Sequence, residues 1–394
     1  FFTHTTAYEI ASCLVGSEMC IRDRYGKVVD QCYLCDLCYL SKCPYVPPHE
    51  WNVDFPHLML RSKAVNFKNG KTKLRDRLIT STDMIGKVAS KPVLNDVVNW
   101  GVQSKTVRKA LDKTLDIHEA ATIPAYHKES GRSRIKKLSS NTEGTSNLQE
   151  GASQQSVALF TTCYCNYNEP SIIESLTKIL KHNEIPVELL EREHCCGMPK
   201  LELGDLQSVT RLKELNIPPL FDAVQKGLKI VAPIPSCVLM YKQELPLMFP
   251  DDEQVSRVAE AFFDPFEFLH LLHKNKKFNT EFINSLGTVS YHVACHQRVQ
   301  NIGPKTKQIL ELVPNTKVKN IERCSGHDGT YGVKSETMEF ANKIAAPVVR
   351  QIEAHEPDHY GSDCPVAGKH LEANLKTGHI TTHPLEMLCK AYGI

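Results

Sequence analysis

The chain has 394 residues, 41% hydrophobic and 23% charged, the profile of an ordinary globular protein long enough for two or three cored domains. A formal net charge of +2 gives no electrostatic footing for a nucleic-acid partner. No apolar run reaches the roughly 18 to 20 residues of a membrane span, and no secretory signal opens the chain, so it reads as cytoplasmic with no transmembrane segment.

Fifteen cysteines are the informative count. In a reducing compartment such richness points to metal ligation or redox chemistry rather than cross-links. Residues 1–24 carry no helical or strand period. The stretch ASCLVGSEMCIRDR reads as a translated adaptor, so this segment is expected to be non-native and Cys13 and Cys20 are left out of the ligand count.

Residues 25–70 hold the strongest local motif, Cys32-x2-Cys35-x2-Cys38-x4-Cys43-Pro44. A looping C-x2-C-x2-C backbone can wrap three corners of a cubane, which predicts a 4Fe–4S ferredoxin-type segment of α+β type. Zinc competes for C-x2-C, but zinc sites come as two separated pairs rather than a triple with C-P behind it. In two-cluster ferredoxin domains the fourth cysteine ligates the other cluster. One run is present, so either Cys43 closes the same cluster or the segment is the second half of a truncated two-cluster domain. His49 and His57, just beyond, are expected to be satisfied surface or packing histidines.

Residues 71–126 read as a helical connector, with Val93, Leu94, Val97, Val98, Val107, Leu111 and Leu115 at three- to four-residue spacing. This stretch is expected to pack on its own protein; docking to a partner or a membrane surface is the alternative. Residues 127–155 (HKESGRSRIKKLSSNTEGTSNLQEGASQQ) predict a disordered linker, with Arg132, Arg134, Lys136 and Lys137 as solvated charge.

From residue 156 onward, strand-like runs (SVALFTTC, PVELLE, KIVAPIPSC, TVSYHVAC, VKNIERC) alternate with helical stretches, predicting an α/β class with parallel sheets built from βαβ units. Aligning cysteines exposes a repeat. Elements ending at Cys163, Cys195-Cys196-Gly197 and Cys237 recur as Cys295, Cys324-Ser325-Gly326 and Cys364, at offsets of 132, 129 and 127 residues. The copies span 156–285 and 286–394.

Strand-end residues in parallel α/β sheets collect beyond the carboxyl edge, so each copy is expected to gather its thiols in one crevice. Cys163, Cys195, Cys196 and Cys237 suffice for four ligands. The second copy offers Cys295, Cys324 and Cys364, with His296 or His327 as a fourth ligand or proton carrier, or else it is a degenerate structural half. Cys165 and Cys389 have no counterpart and read as spare thiols. No G-x-G-x-x-G or G-x4-G-K-[ST] run supports nucleotide or flavin binding.

The motifs CPYVPPHEWNVDFPHLMLR, CCGMPKLELGD, ACHQRVQNIG and CSGHDGTYGVK resemble those of the heterodisulfide-reductase-like Fe–S oxidoreductases, the family that includes the C subunit of anaerobic glycerol-3-phosphate dehydrogenase. The resemblance covers about residues 25–368. It implies a two-cluster 4Fe–4S ferredoxin domain joined to two cysteine-rich CCG repeats, passing electrons between a flavoprotein dehydrogenase and a quinone or other acceptor, often at the inner membrane face. Three features depart from the family: the first ferredoxin run is absent, Ser325 breaks the second CCG, and no C-x2-C stands at Cys237 or Cys364. An ordinary relay cluster is therefore expected in the first copy rather than a disulfide-reducing one. A self-sufficient oxidoreductase with a substrate pocket in the repeats, and a zinc-stabilised interaction module, are the two rival readings.

Overall fold

The computed structural model describes residues 25–35, 43–46, 49–140 and 156–394. Expectations about residues 1–24, Cys38 and residues 141–155 lie outside the described residues.

Strands β1 (Val157–Leu159), β2 (Val187–Leu189), β3 (Lys229–Val231) and β4 (Phe262–Phe263) form one sheet in the order β2-β1-β3-β4, every pair parallel. Strands β5 (Gly287–His292), β6 (Thr316–Ile321) and β7 (His359–Ser362) form a second parallel sheet in the order β6-β5-β7. The expected α/β class with parallel sheets is what the chain forms. In both sheets the first strand lies inside, the second pairs on one side and the third on the other. Such a reversal opens a crevice beyond the carboxyl ends of the strands.

The strands stop before the cysteines, which corrects the expectation that a cysteine is each strand's last residue. Cys163 opens the helix Cys163–Tyr167, Cys237 lies in Pro235–Leu239, Cys295 opens Cys295–Val299, and Cys364 caps Pro365–Glu372. After β3, Pro233 and Pro235 cannot donate to a ladder, so pairing ends early. The thiols therefore sit on turns and first helical residues facing the crevice.

The core lies between sheets and helices. Val157, Leu159, Ile230 and Val231 are fully buried, and the helix Pro170–His182 sinks Ile172, Ile173, Leu176, Ile179 and Leu180 against them at helical spacing. Tyr241 stacks on Phe262 at 4.6 Å, with Phe160 edge-on to Tyr241 at 5.2 Å. The helix Pro384–Tyr392, from the second copy, packs on Pro170–His182 of the first, where Cys389 Sγ donates to the Ser175 carbonyl at 3.4 Å. One continuous apolar cluster thus runs through both copies.

Ahead of the repeats, the helix Phe55–Lys68 lies against Met198–Leu203. At the contact Gly204 has φ +86°, and a Cβ there would stand 2.6 Å from the Ala64 nitrogen, so glycine permits the close approach. His57 bridges two carboxylates, Nδ1 to Asp54 at 2.7 Å and Nε2 to the buried Glu244 at 2.9 Å. It is a packing histidine that ties the N-terminal helix to the first repeat.

The connector holds four helices, Leu74–Ile79, Thr82–Ala89, Pro92–Gln103 and Lys105–Leu115, the last two separated at Ser104. On Lys105–Leu115 the expected residues Val107, Leu111 and Leu115 are half-buried, but on Pro92–Gln103 most of the expected face is exposed. Val93, Val97 and Trp100 are 80%, 60% and 65% exposed, while Asn95 is buried and donates to the Ala89 and Tyr126 carbonyls. Polar anchoring of the loop at Tyr126 sets the helix rotation, leaving the apolar stripe in water beside exposed Met84 and Val88. Among the described residues no helix is long and apolar enough to cross a membrane.

The expected disordered linker is also corrected where it is described. Residues Gly131–Ser140 form a helix with Ile135 fully buried. Arg132 and Arg134 are not solvated charge. Arg132 pairs with Glu193 at 2.5 Å and Arg134 with Glu174 at 3.0 Å, and a Cβ on Gly131 would meet the Cys165 carbonyl at 2.6 Å. Ion pairs and one apolar anchor hold what composition alone could not.

Two consequences are measurable. Glu193 is almost wholly buried, so Arg132→Ala would strand its carboxylate and destabilise the fold by roughly 2 kcal/mol, somewhat less than for a fully buried pair because Arg132 is partly wetted. An unshifted denaturant midpoint would contradict this. His57 is raised to about 9, first by its hydrogen bond to Glu244. Its folded value lies above the unfolded one near 6.5, so its stabilisation is complete below about pH 6.5 and lost as pH rises through about 9. Proteolysis within Phe55–Lys68 should accelerate across that window and do so far less in His57→Gln.

Candidate functional site

Three turns beyond β1, β2 and β3 converge on one spot. Thr162 takes φ +66°, rare for a β-branched residue, and its side chain accepts the Cys165 N–H at 3.2 Å, starting a helix at Cys163. Glu193 holds the same turn by accepting the Thr161 N–H at 2.8 Å. Buried Asn216 clamps the adjacent-cysteine turn, accepting the His194 N–H at 2.9 Å and donating to the Cys195 carbonyl at 3.1 Å. Beyond Cys237 the helix passes through a π-helical turn, Met240–Glu244, which delivers Glu244 to His57.

The first copy's thiols meet as expected. Cys163 Sγ donates to Cys195 Sγ at 3.9 Å, and Cys196 lies within hydrogen-bonding reach of both Cys195 and Cys237. Cys195, Cys196 and Cys237 are each 5% exposed. Donation from Cys163 and Cys196 holds Cys195 well below the usual thiol range, helped by the Gly197 N–H and Thr82. Cys163 and Cys196 are pushed well above it because each faces Cys195, and burial adds to the effect.

Sequence reasoning missed Thr82. This connector residue places Oγ1 at 3.4 Å from Cys163 Sγ and 3.7 Å from Cys195 Sγ. Nothing in its local pattern marks it, because the contact forms only once the helix Thr82–Ala89 packs on Cys163–Tyr167.

The second copy gathers Cys295, Cys324 and Cys364 around a residue that was also missed, Asp328. Cys295 Sγ donates to Asp328 Oδ1 at 3.6 Å and Cys324 Sγ to Asp328 Oδ2 at 3.2 Å. Cys364 feels the same carboxylate, and burial lifts its thiol to about 11. Burial, with Asp328 next, raises Cys295 and Cys324 well above the ordinary thiol range. The signal available in the sequence was an aspartate between Gly326 and Gly329 in CSGHDG.

His296 and His327 are both buried, and among the described residues neither is hydrogen-bonded to a sulfur. His296 Nδ1 bonds Ser236 Oγ at 2.8 Å, while Nε2 faces the Tyr33 and Leu34 backbone without closing a good hydrogen bond. His327 is held neutral, its pKa lowered to about 3 by burial.

The two groups abut. Ser236 and His296 are the chain neighbours of Cys237 and Cys295, so their hydrogen bond joins the sites, reinforced by Gln300 Nε2 donating to the Pro235 carbonyl at 3.1 Å. The ferredoxin-type segment meets the second group. Cys35 lies within electrostatic reach of Cys295, Lys63 donates to the Cys32 carbonyl, and Lys334 Nζ donates to Tyr33 Oη at 3.0 Å. Tyr33 and Tyr331 meet edge-on at 5.8 Å. Cys43 is half-buried. Cys165 is fully buried and Cys389 nearly so, consistent with packing thiols.

Among the described residues no three or more histidine, cysteine, aspartate or glutamate side chains close on a point as the ligands of a lone ion do. The thiols of the first copy approach one another in pairs, Cys163 with Cys195 and Cys196 with both Cys195 and Cys237. A cleft of 590 Å³ lined by Val102, Lys105, Arg108, Glu119 and Thr122 belongs to the connector, away from both thiol groups, and lends nothing to a substrate pocket in the repeats.

Comparison with known proteins follows this geometry. The model of the CCG cysteine-rich domain matches residues 157–242 and 289–370, one match per copy. The chain is 27% identical over 345 residues to the C subunit of anaerobic glycerol-3-phosphate dehydrogenase from Escherichia coli, covering 86% of this chain and 82% of that protein. It is 27% identical over 183 residues to lactate utilization protein A of Bacillus cytotoxicus, covering 45% of this chain and 74% of that one. Identity to the B subunit of fumarate reductase (CoM/CoB) from Methanothermobacter marburgensis is 24% over 244 residues, covering 60% of this chain and 46% of the relative. The chain thus carries the CCG cysteine-rich domain twice and is similar to these oxidoreductase subunits, a likeness that supports the heterodisulfide-reductase-like Fe–S oxidoreductase family.

Proposed function

We propose that this chain is the electron-transfer subunit of an oxidoreductase. Cys163, Cys195, Cys196 and Cys237 hold one iron–sulfur cluster; Cys32, Cys35, Cys38 and Cys43 hold a 4Fe–4S cluster; Cys295, Cys324 and Cys364 provide a third position. The observation that carries the reading is the convergence of four thiols, three of them buried, from three separate turns, with Cys163 and Cys195 sulfurs 3.9 Å apart. Metal binding requires thiolates, so iron would take the place of the thiol protons.

Bound clusters supply one-electron exchange. The chain's own residues exclude water and set the potential through hydrogen bonds to sulfur. Donors in reach are Thr82 Oγ1 and the Gly197 N–H at the first group, and the Gly326 N–H, 3.3 Å from Cys324 Sγ, at the second. The contacts support an order. Electrons would pass between the ferredoxin-type segment and the second repeat where Cys35 nears Cys295, then cross the Ser236–His296 seam to the first.

The partner would be a flavoprotein dehydrogenase or other redox subunit, and the acceptor a quinone or another electron acceptor. Relatives named as a glycerol-3-phosphate dehydrogenase subunit and a fumarate reductase subunit support a multisubunit setting. The complex would be cytoplasmic, with peripheral contact at the inner membrane face.

Anaerobic reconstitution followed by iron and sulfide counts and electron paramagnetic resonance tests this. Cys196→Ser should remove a signal distinct from the one lost in Cys35→Ser. Identical spectra from the two variants contradict separate clusters, and colourless protein with stoichiometric zinc would establish the zinc module instead.

A further inference from the structure

The second repeat lacks a fourth cysteine in its motif, since Ser325 stands where the first copy has Cys196. Ser325 does not stand in for it. Its Oγ accepts the His327 N–H of its own loop at 3.3 Å. Three residues on, Asp328 brings a fourth ligand-type side chain to the group, with one carboxylate oxygen toward Cys295 and the other toward Cys324, at 3.6 and 3.2 Å.

The loop is built to put that carboxylate there. Gly326 has φ +80°, and a Cβ would fall 2.1 Å from the Ala341 carbonyl oxygen, so the backbone passes where only glycine fits. Asp328 itself has φ +22°, a conformation that aspartate tolerates better than most residues. Around it stand three buried imidazoles. His296 and His370 are within its electrostatic reach and His327 precedes it in the chain. Each keeps one buried nitrogen without a hydrogen-bond partner: His296 Nε2, His327 Nδ1 and His370 Nε2. Buried polar atoms left unmatched mark an environment shaped for something besides the side chains already present.

We infer that Asp328 is the fourth ligand of the second repeat, which binds an iron–sulfur cluster through three cysteines and one carboxylate, with the imidazoles as surrounding hydrogen-bond partners. The inference rests on the reading that this repeat carries a cluster. It assigns the fourth position to neither of the histidines that the sequence offers for it. Oxygen is a harder donor than thiolate, so the iron it holds is the one most readily exchanged.

The test uses the full chain, reconstituted anaerobically with iron and sulfide, as wild type, Cys295→Ser, Asp328→Cys and Asp328→Asn. Asparagine keeps the shape and tolerates the backbone but is a poor iron ligand. Expected are loss of one paramagnetic signal in Cys295→Ser with the Cys196-dependent signal intact, an unchanged iron count with a shifted signal in Asp328→Cys, and a three-iron signal or loss of the cluster in Asp328→Asn. Persistence of the Cys196-dependent signal certifies the fold, and Asp328→Cys keeps the test open should the asparagine variant not fold. If both Asp328 variants match wild type while Cys295→Ser still loses its signal, the ligand assignment falls and the second cluster stands. If Cys295→Ser loses nothing, the second-repeat cluster falls, and this assignment with it.

Discussion

Sulfur atoms can be crowded together in a dry place only while their charge is kept low or taken up by something positive, and that constraint organises the molecule. At the first repeat hydrogen bonds from Cys163 and Cys196 favour charge on Cys195, while facing Cys195 disfavours it on both of them. At the second, Asp328 accepts from two thiols. Both arrangements leave thiol protons where a cation could replace them, and both sit where parallel strands on either side of a central one send their turns to a common edge.

The fold serves that edge at a cost in regularity. Strands of two to six residues are too short to be stable alone. They persist because fully buried Val157, Leu159, Ile230 and Val231 are covered by long helices, and because the last helix of the second copy closes over the first. A shared core makes the two thiol groups parts of one body, so the Ser236–His296 seam between them is held by packing on both sides. Thr162 at φ +66° and Asp328 at φ +22° are conformations that only such a rigid surround keeps in place.

Much of this was legible in the sequence because cysteine spacing is a long-range signal written in single letters. The offsets of 132, 129 and 127 residues carried the repeat, the strand alternation carried the parallel sheets, and the first copy's four thiols do come together. What escaped depends on tertiary contacts. Helix Gly131–Ser140 has little apolar content, and its order comes from Arg132 finding Glu193 and Ile135 finding the core. Thr82 and Asp328 gain their meaning from sulfur atoms far away in the chain. The rotation of Pro92–Gln103 was misjudged because hydrophobic spacing shows that a face exists, while Asn95 and Asn99, binding the Tyr126 carbonyl, decide which way it turns.

That rotation has a consequence of its own. Val93, Val97 and Trp100, continued by Met84 and Val88, keep an oily ridge in contact with solvent. The water layered over the ridge is released only when another nonpolar body covers it, so the isolated chain is adhesive by construction. Handled alone at high concentration, it would cling to vessel walls, to detergent micelles and to its own copies.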